Sequence, residues 1–112
     1  MKVRKDFVTN SSSSSFVISR DSVSYEKLLE ILIEIANEEC YWDDEKYTHY
    51  SEITHRYEIQ EYTSEDPYED WDGVIYDNDF IIDNNGYGRY DWVAINKVLN
   101  KYNIPWEYGY CD

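Results

Sequence analysis

The chain predicts an α+β domain of ferredoxin-like βαββαβ order, an antiparallel sheet with two helices on one face. Two segments, Ser24 to about Cys40 and Asp91 to Tyr102, space their apolar residues at helical period, while Ile53 to Ile59 alternates at period two. Between them lie short β-branched or aromatic runs at Phe16-Val17-Ile18, Val74-Ile75-Tyr76, Phe80-Ile81-Ile82 and Trp106 to Cys111. With 112 residues, 42% hydrophobic and 18% aromatic, the chain is long enough for one small core, so residues 1–112 are expected to form a single domain. Residues 1–20 form its Ser-rich N-terminal strand and loop segment.

At the N-terminus, Phe7-Val8 and Phe16-Val17-Ile18 are strand-like and flank an Asn-Ser turn and the serine run Ser11 to Ser15. Ser24 is placed to cap the first helix, with Glu26 in its first turn and Val23 stapling onto Leu28. Leu28, Leu29, Leu32, Ile35 and Ala36 mark its apolar face, and Glu26, Glu30, Glu34 and Glu38 recur every four residues on another. Tyr41 to Lys46 reads as an acidic loop. In the alternating segment that follows, Ile53, His55, Tyr57 and Ile59 face one way, and Glu52, Thr54, Arg56, Glu58 and Gln60 the other. A turn-rich loop runs from Ser64 to Gly73. The two triplets around Asp77-Asn78-Asp79 are either one bulged strand or a tight hairpin. Asn84 to Gly88 breaks the chain, Asp91 caps the second helix, whose Trp92, Ile95, Val98, Leu99 and Tyr102 share a face, and Pro105 ends it. In this topology Cys40 and Cys111 become neighbours, expected as free thiols because two cysteines make neither a disulfide scaffold nor a zinc site.

Charge is the strongest functional signal. From Asp21 to Asp83 there are twenty acidic residues against three basic ones, a net of −17 in a chain whose total is −14. A field of one sign repels nucleic acid and anionic membranes and attracts basic surfaces. The expected partner is therefore a basic protein, with no direct binding to nucleic acid or membrane. No apolar run approaches the ~20 residues of a membrane helix, and MKVRKDF has no apolar leader core, so a soluble, cytoplasmic chain is expected.

Specific chemistry is poorly signalled. Asp70, Asp72, Gly73, Ile75 and Asp79 partly match a calcium loop, but Tyr68 stands at the first ligand position, Asp79 replaces the closing Glu, and no second helix follows. A solvated acidic loop is the competing reading and the favoured one. His49 and His55 could share a strand face, but two histidines alone are not a metal site. The serine run lacks the glycine context of a nucleophile elbow, and paired carboxylates are inevitable among twenty-four acids. No enzyme, cofactor or metal is expected. Aromatics on such a sheet could stack bases, but the charge opposes every approaching phosphate.

The acidic surface is thus read as an interaction feature. Duplex DNA carries about one negative charge per 1.7 Å of axis, and a compact domain with an acidic helix ridge and two acidic loops can offer comparable density to a basic groove. The candidate contact residues are Glu30, Glu34 and Glu38 on the ridge, Trp42, Asp43, Asp44 and Glu45 in the first loop, and Glu65, Asp66, Glu69, Asp70, Trp71 and Asp72 in the second. Tyr41, Trp42, Tyr68 and Trp71 would anchor the contact. A solvated helix face is the competing reading of the ridge.

The opening Asp6-Phe7-Val8-Thr9-Asn10-Ser11-Ser12-Ser13-Ser14-Ser15-Phe16 resembles the recurrent start of small uncharacterised proteins of Gram-positive bacteria, their phages and mobile elements. The similarity covers about the first eighteen residues and brings no activity with it. It implies a bacterial host cell, and with the charge it suggests an anti-defence inhibitor of the anti-CRISPR kind. The alternative is an acidic oligomeric structural or accessory protein, self-associating through Trp106, Tyr108 and Tyr110 of the final strand.

Overall fold

The computed structural model describes residues 14–39, 46–70, 72–83 and 91–111. The architecture is α+β. Strands β1 (Ser14–Ser19), β2 (Glu58–Tyr62), β5 (Asp79–Asp83) and β6 (Glu107–Cys111) form an antiparallel sheet in the order β2-β5-β1-β6. Helix α1 (Tyr25–Glu39) links β1 to the β2 side, and α2 (Trp92–Lys101) links β5 to β6. Two further short strands, β3 (Tyr68–Glu69) and β4 (Ile75–Tyr76), pair with each other in a separate hairpin between β2 and β5.

Strand alternation divides the core. Phe16 and Ile18 of β1 stand opposite Ile82 and Phe80 of β5, and these four pack with the buried faces of both helices. Val17 and Ile81, opposite each other, point to the other face, where Tyr76, Tyr62, Tyr68 and Val74 cover them. The hairpin therefore closes the sheet face that the helices leave open. Every residue of β5 is buried, as befits a central strand covered on both sides.

Both helices begin as their caps dictate. The Ser24 hydroxyl accepts from Lys27 N at 3.2 Å, and Val23 and Leu28 share the core cluster. The Asp91 carboxylate accepts from Val93 N and Ala94 N at 3.1 and 3.2 Å. Buried on α1 are Leu28, Ile31, Leu32, Ile35 and Ala36, so Ile31 takes the place expected of Leu29, which is half-buried. The end of α2 also differs. Asn103 adopts φ 57°, Ile104 N reaches back to Leu99 O at 2.9 Å, and Asn103 N to Asn100 O at 3.1 Å. This left-handed turn, with Ile104 buried beside Leu99, stops the helix before Pro105 is reached.

Two expectations fail for identifiable reasons. The strand begins only at Glu58 and runs on to Tyr62, because Tyr50–Glu52 forms a 3-10 turn and Arg56 N and Tyr57 N both bond to Ile53 O. Ile53 and Tyr57 are four apart, a spacing that fits both periods, and His55 between them is exposed. The triplets 74–76 and 80–82 form neither one bulged strand nor a hairpin with each other. Ile75–Tyr76 turns back onto Tyr68–Glu69, and Phe80–Ile82 enters the main sheet. The proximity expected of Cys40 and Cys111 lies outside the described residues, as does the strand expected at Phe7-Val8.

Candidate interaction surface

The ridge of α1 is not a uniform acidic face. Lys97 of α2 meets Glu38 at 3.0 Å, Lys101 of α2 pairs with Glu34, and Tyr102 donates its hydroxyl to the same carboxylate. Glu30 is exposed, with Lys27 at 3.3 Å. Burial raises the Glu34 carboxyl, but the hydrogen bonds of Lys101 and Tyr102 and the charges of Lys101 and Lys27 together outweigh it and hold it below its ordinary value. The bond to Glu34 raises both Lys101 and Tyr102. Two of the three ridge residues named as contacts are thus part of the seam between helices. Lysines 59 and 67 residues away supply relief to Glu38 and Glu34.

The hairpin is different. Between Tyr57 and Asp83 there are ten acidic residues and no basic one. Seven of them, Glu58, Glu61, Glu65, Asp66, Glu69, Asp72 and Asp77, are exposed. Arg20 of the β1–α1 connection reaches Glu61 at 2.8 Å and Asn78 Oδ1 at 3.2 Å, tying the edge of this region to the sheet. Asp70 is only 7% exposed, and its Oδ1 accepts from Asp72 N at 2.9 Å and Val74 N at 3.0 Å while Tyr76 donates to Oδ2 at 3.3 Å. Asp70 therefore holds the turn that presents its neighbours, with Gly73 at φ 81° completing it. Tyr62, Tyr68 and Tyr76 stack in sequence, ring centroids 5.2 and 5.9 Å apart, and fix the hairpin to the sheet. Trp42, Asp43, Asp44, Glu45 and Trp71, named from the sequence as contacts, lie outside the described residues, as does Tyr41.

One buried polar junction was missed. Glu39, 9% exposed at the end of α1, accepts from the Tyr57 hydroxyl and from Asp91 N at 3.1 Å, and Arg56 lies 3.8 Å away. Burial, then the Glu39 charge, push the Tyr57 hydroxyl far above the ordinary tyrosine range, so it stays a donor. The junction joins α1, the 46–57 connection and the start of α2. A signal existed: Glu39 falls seven residues after Leu32 and three after Ala36, on the apolar stripe.

The histidines do not share a strand face. His49 precedes the 3-10 turn, where Glu52 accepts from Thr48 N and His49 N, and His55 is an exposed turn residue. Among the described residues, no group of three or more His, Cys, Asp or Glu is disposed to hold a metal ion, and no helix is long and apolar enough to cross a membrane. No family model, curated protein or solved structure matches the chain.

Proposed function

We propose that the chain is an acidic protein-binding module that occupies a basic surface of a partner, of the kind that otherwise binds nucleic acid, and that the β3–β4 hairpin is its contact face. The observation that carries this reading is the sorting of charge. The α1 ridge is met by Lys97 and Lys101, whereas six exposed carboxylates, Glu58, Glu65, Asp66, Glu69, Asp72 and Asp77, lie on β2, the hairpin and its flanking turns in a stretch of sequence without a single basic residue, and Arg20 meets the seventh, Glu61. The hairpin is also held rigid by Asp70 and the tyrosine stack, so a partner need not order it on binding. Ile75, 52% exposed on β4, supplies apolar area beside the charge.

The N-terminal resemblance to phage and mobile-element proteins supports the narrower version, an anti-defence inhibitor of the anti-CRISPR type acting in a bacterial cytoplasm. The ferredoxin-like assignment belongs with this reading. With β3–β4 set aside as an insertion, the order β2-β5-β1-β6 and the two helices packed with Phe16, Ile18, Phe80 and Ile82 support it.

The test is capture from a bacterial lysate with the intact chain and with a variant in which Glu65, Asp66, Glu69 and Asp72 are changed to Lys. A nucleic-acid-binding protein that is retained by the native chain, displaced by duplex DNA and lost by the folded variant supports the proposal. A partner held equally by both, or no specific partner, rejects it.

A further inference from the structure

We infer that the outer edge of β2 binds an extended segment of the partner as an added strand, one whose side chains alternate between basic and apolar. The basic character of the segment rests on the proposed function. β2 ends the sheet order β2-β5-β1-β6, and its register with β5 is unbroken from Glu58 to Tyr62. At the opposite side of the sheet the β1–β6 register shifts between Ser14 and Phe16. Bulges and proline commonly guard an exposed edge against pairing; β2 has neither and is guarded by the charges of Glu58 and Glu61 alone.

One hydrogen bond fixes which backbone groups point outward. Arg20 N bonds to Asn78 O at 3.0 Å, continuing the β1–β5 register one pair beyond Ser19 and Asp79. In an antiparallel ladder, pairs that exchange hydrogen bonds alternate with pairs that do not. Phe80 and Ile82 therefore turn their backbone groups to β1, and Asp79, Ile81 and Asp83 turn theirs to β2, where Tyr62, Gln60 and Glu58 stand opposite them. Ile59 and Glu61 point the other way. Among the described residues, nothing bonds to their N–H and C=O groups.

The two faces of β2 select what joins it. Ile59 and Glu61 stand opposite Ile82 and Phe80 and so lie on the helix face, where Ile59 packs against the core and Arg20 meets Glu61 at 2.8 Å. An apolar side chain suits this face, because Ile59 is half-buried and the carboxylate already has its cation. Glu58, Gln60 and Tyr62 lie on the hairpin face. Glu58 is exposed there, and the charges of Asp66 and Glu58 both reach the Tyr62 hydroxyl, which burial and Tyr68 raise first and these carboxylates raise further. Arg56, two residues before the strand, lies 3.8 Å from the buried Glu39, and among the described residues neither Glu58 nor Asp66 has an ion pair. A basic side chain on this face meets carboxylates without a cation. A second copy brings the same carboxylates to the same edge and is repelled.

The test titrates the full chain with a short synthetic peptide alternating Lys and Val, and with its counterpart alternating Glu and Val. The Lys/Val peptide should bind, the Glu/Val peptide should not, and Glu58→Lys should raise the dissociation constant by about tenfold. Hydrogen exchange should show protection gained at Ile59 N and Glu61 N on binding, with Glu58, Gln60 and Tyr62 already protected in the free chain. Glu61→Gln removes the charge and keeps the outward amide, whereas Glu61→Pro removes both and breaks no bond to β5, so the proline variant should bind more weakly than the glutamine variant. If the proline variant does not fold, exchange in the native chain still decides. Failure of the Lys/Val peptide to bind, binding that leaves those two amides unprotected, or equal binding of the Glu/Val peptide overturns the inference. So does protection of both amides in the concentrated chain alone, which a second copy on the edge would give. The proposed function is read separately, by capture with the hairpin variant, so either can fail without the other.

Discussion

Replacing Glu39 with Ala should destabilise the fold by about 3–5 kcal/mol, the range for removing one member of a buried ion pair. Its carboxylate accepts from the Tyr57 hydroxyl and the Asp91 amide and faces Arg56 at 3.8 Å, with 9% of the residue exposed. Hydrogen bonds to a charged group contribute ~1.5–3 kcal/mol each, so two give ~3–6. The desolvation of the carboxylate is recovered when it is removed, which brings the figure down. Urea unfolding should show a lower midpoint with the same slope, because the surface exposed on unfolding hardly changes. At roughly 4–8 °C per kcal/mol, melting should fall by on the order of 20 °C. Glu39→Gln should lie between. Its oxygen can still accept from Tyr57, but its amide meets the Asp91 amide donor to donor, and the charge facing Arg56 is gone. Glu30→Ala, at an exposed position on the same helix, is the control and should stay within about 0.5 kcal/mol. If Glu39→Ala cost no more than that control, the junction would be incidental and the reasoning wrong.

Asp70→Ala should cost about 1.5–3 kcal/mol and remove hydrogen-exchange protection at Asp72 N and Val74 N. Asp70→Asn keeps the accepting oxygen and should lose much less, so equal losses would contradict the turn geometry. Asn103→Ala should cost about 1 kcal/mol because Asn tolerates the left-handed backbone through local hydrogen bonding of its side chain and Ala does not, whereas Asn103→Gly should be nearly neutral in the same melt. The Glu34–Lys101 pair should act over a defined pH window. Glu34 is lowered from 4.5, so its contribution is present above that value and is lost as pH falls through the folded value. Lys101 is raised from 10.5, so its contribution is present below that value and is lost as pH rises through the folded one. Glu34→Gln should flatten the acid limb of the melting profile, and an unchanged limb would count against the pair.

Local chemistry was legible in the sequence and long-range pairing was not. Ser24 and Asp91 cap the helices from which they were read, because a cap is a contact over three or four residues. Ile53 and Tyr57 misled, since a four-residue spacing belongs to both helix and strand patterns, and only the exposed His55 separates them. The β3–β4 hairpin was hidden because each strand has only two residues, too few to display a period. Asp70 looked like a surface carboxylate for the same reason. Its two amide partners, set by the Asp70 to Val74 turn, its burial and the Tyr76 hydroxyl distinguish it from Glu69 and Asp72.

The ridge on α1 carries the wider lesson. Four glutamates at helical spacing oppose the helix that bears them, and in isolation that invites a binding role. The fold answers part of the repulsion internally, through Lys97 and Lys101 at matching four-residue spacing on the neighbouring helix. Charge that folding answers in this way needs no partner to explain it. The exposed carboxylates of the hairpin stand on the other side of that distinction. Glu69 and Asp72 lie on the hairpin itself, Glu65, Asp66 and Asp77 on the turns beside it, and Glu58 and Glu61 on β2, where Arg20 meets Glu61. Solubility depends mainly on the total charge and could be met by acids placed anywhere on the surface. Occupying a basic groove depends on where they are, and here Glu65, Asp66, Glu69, Asp72 and Asp77 lie on or beside the hairpin that covers the sheet face opposite the helices.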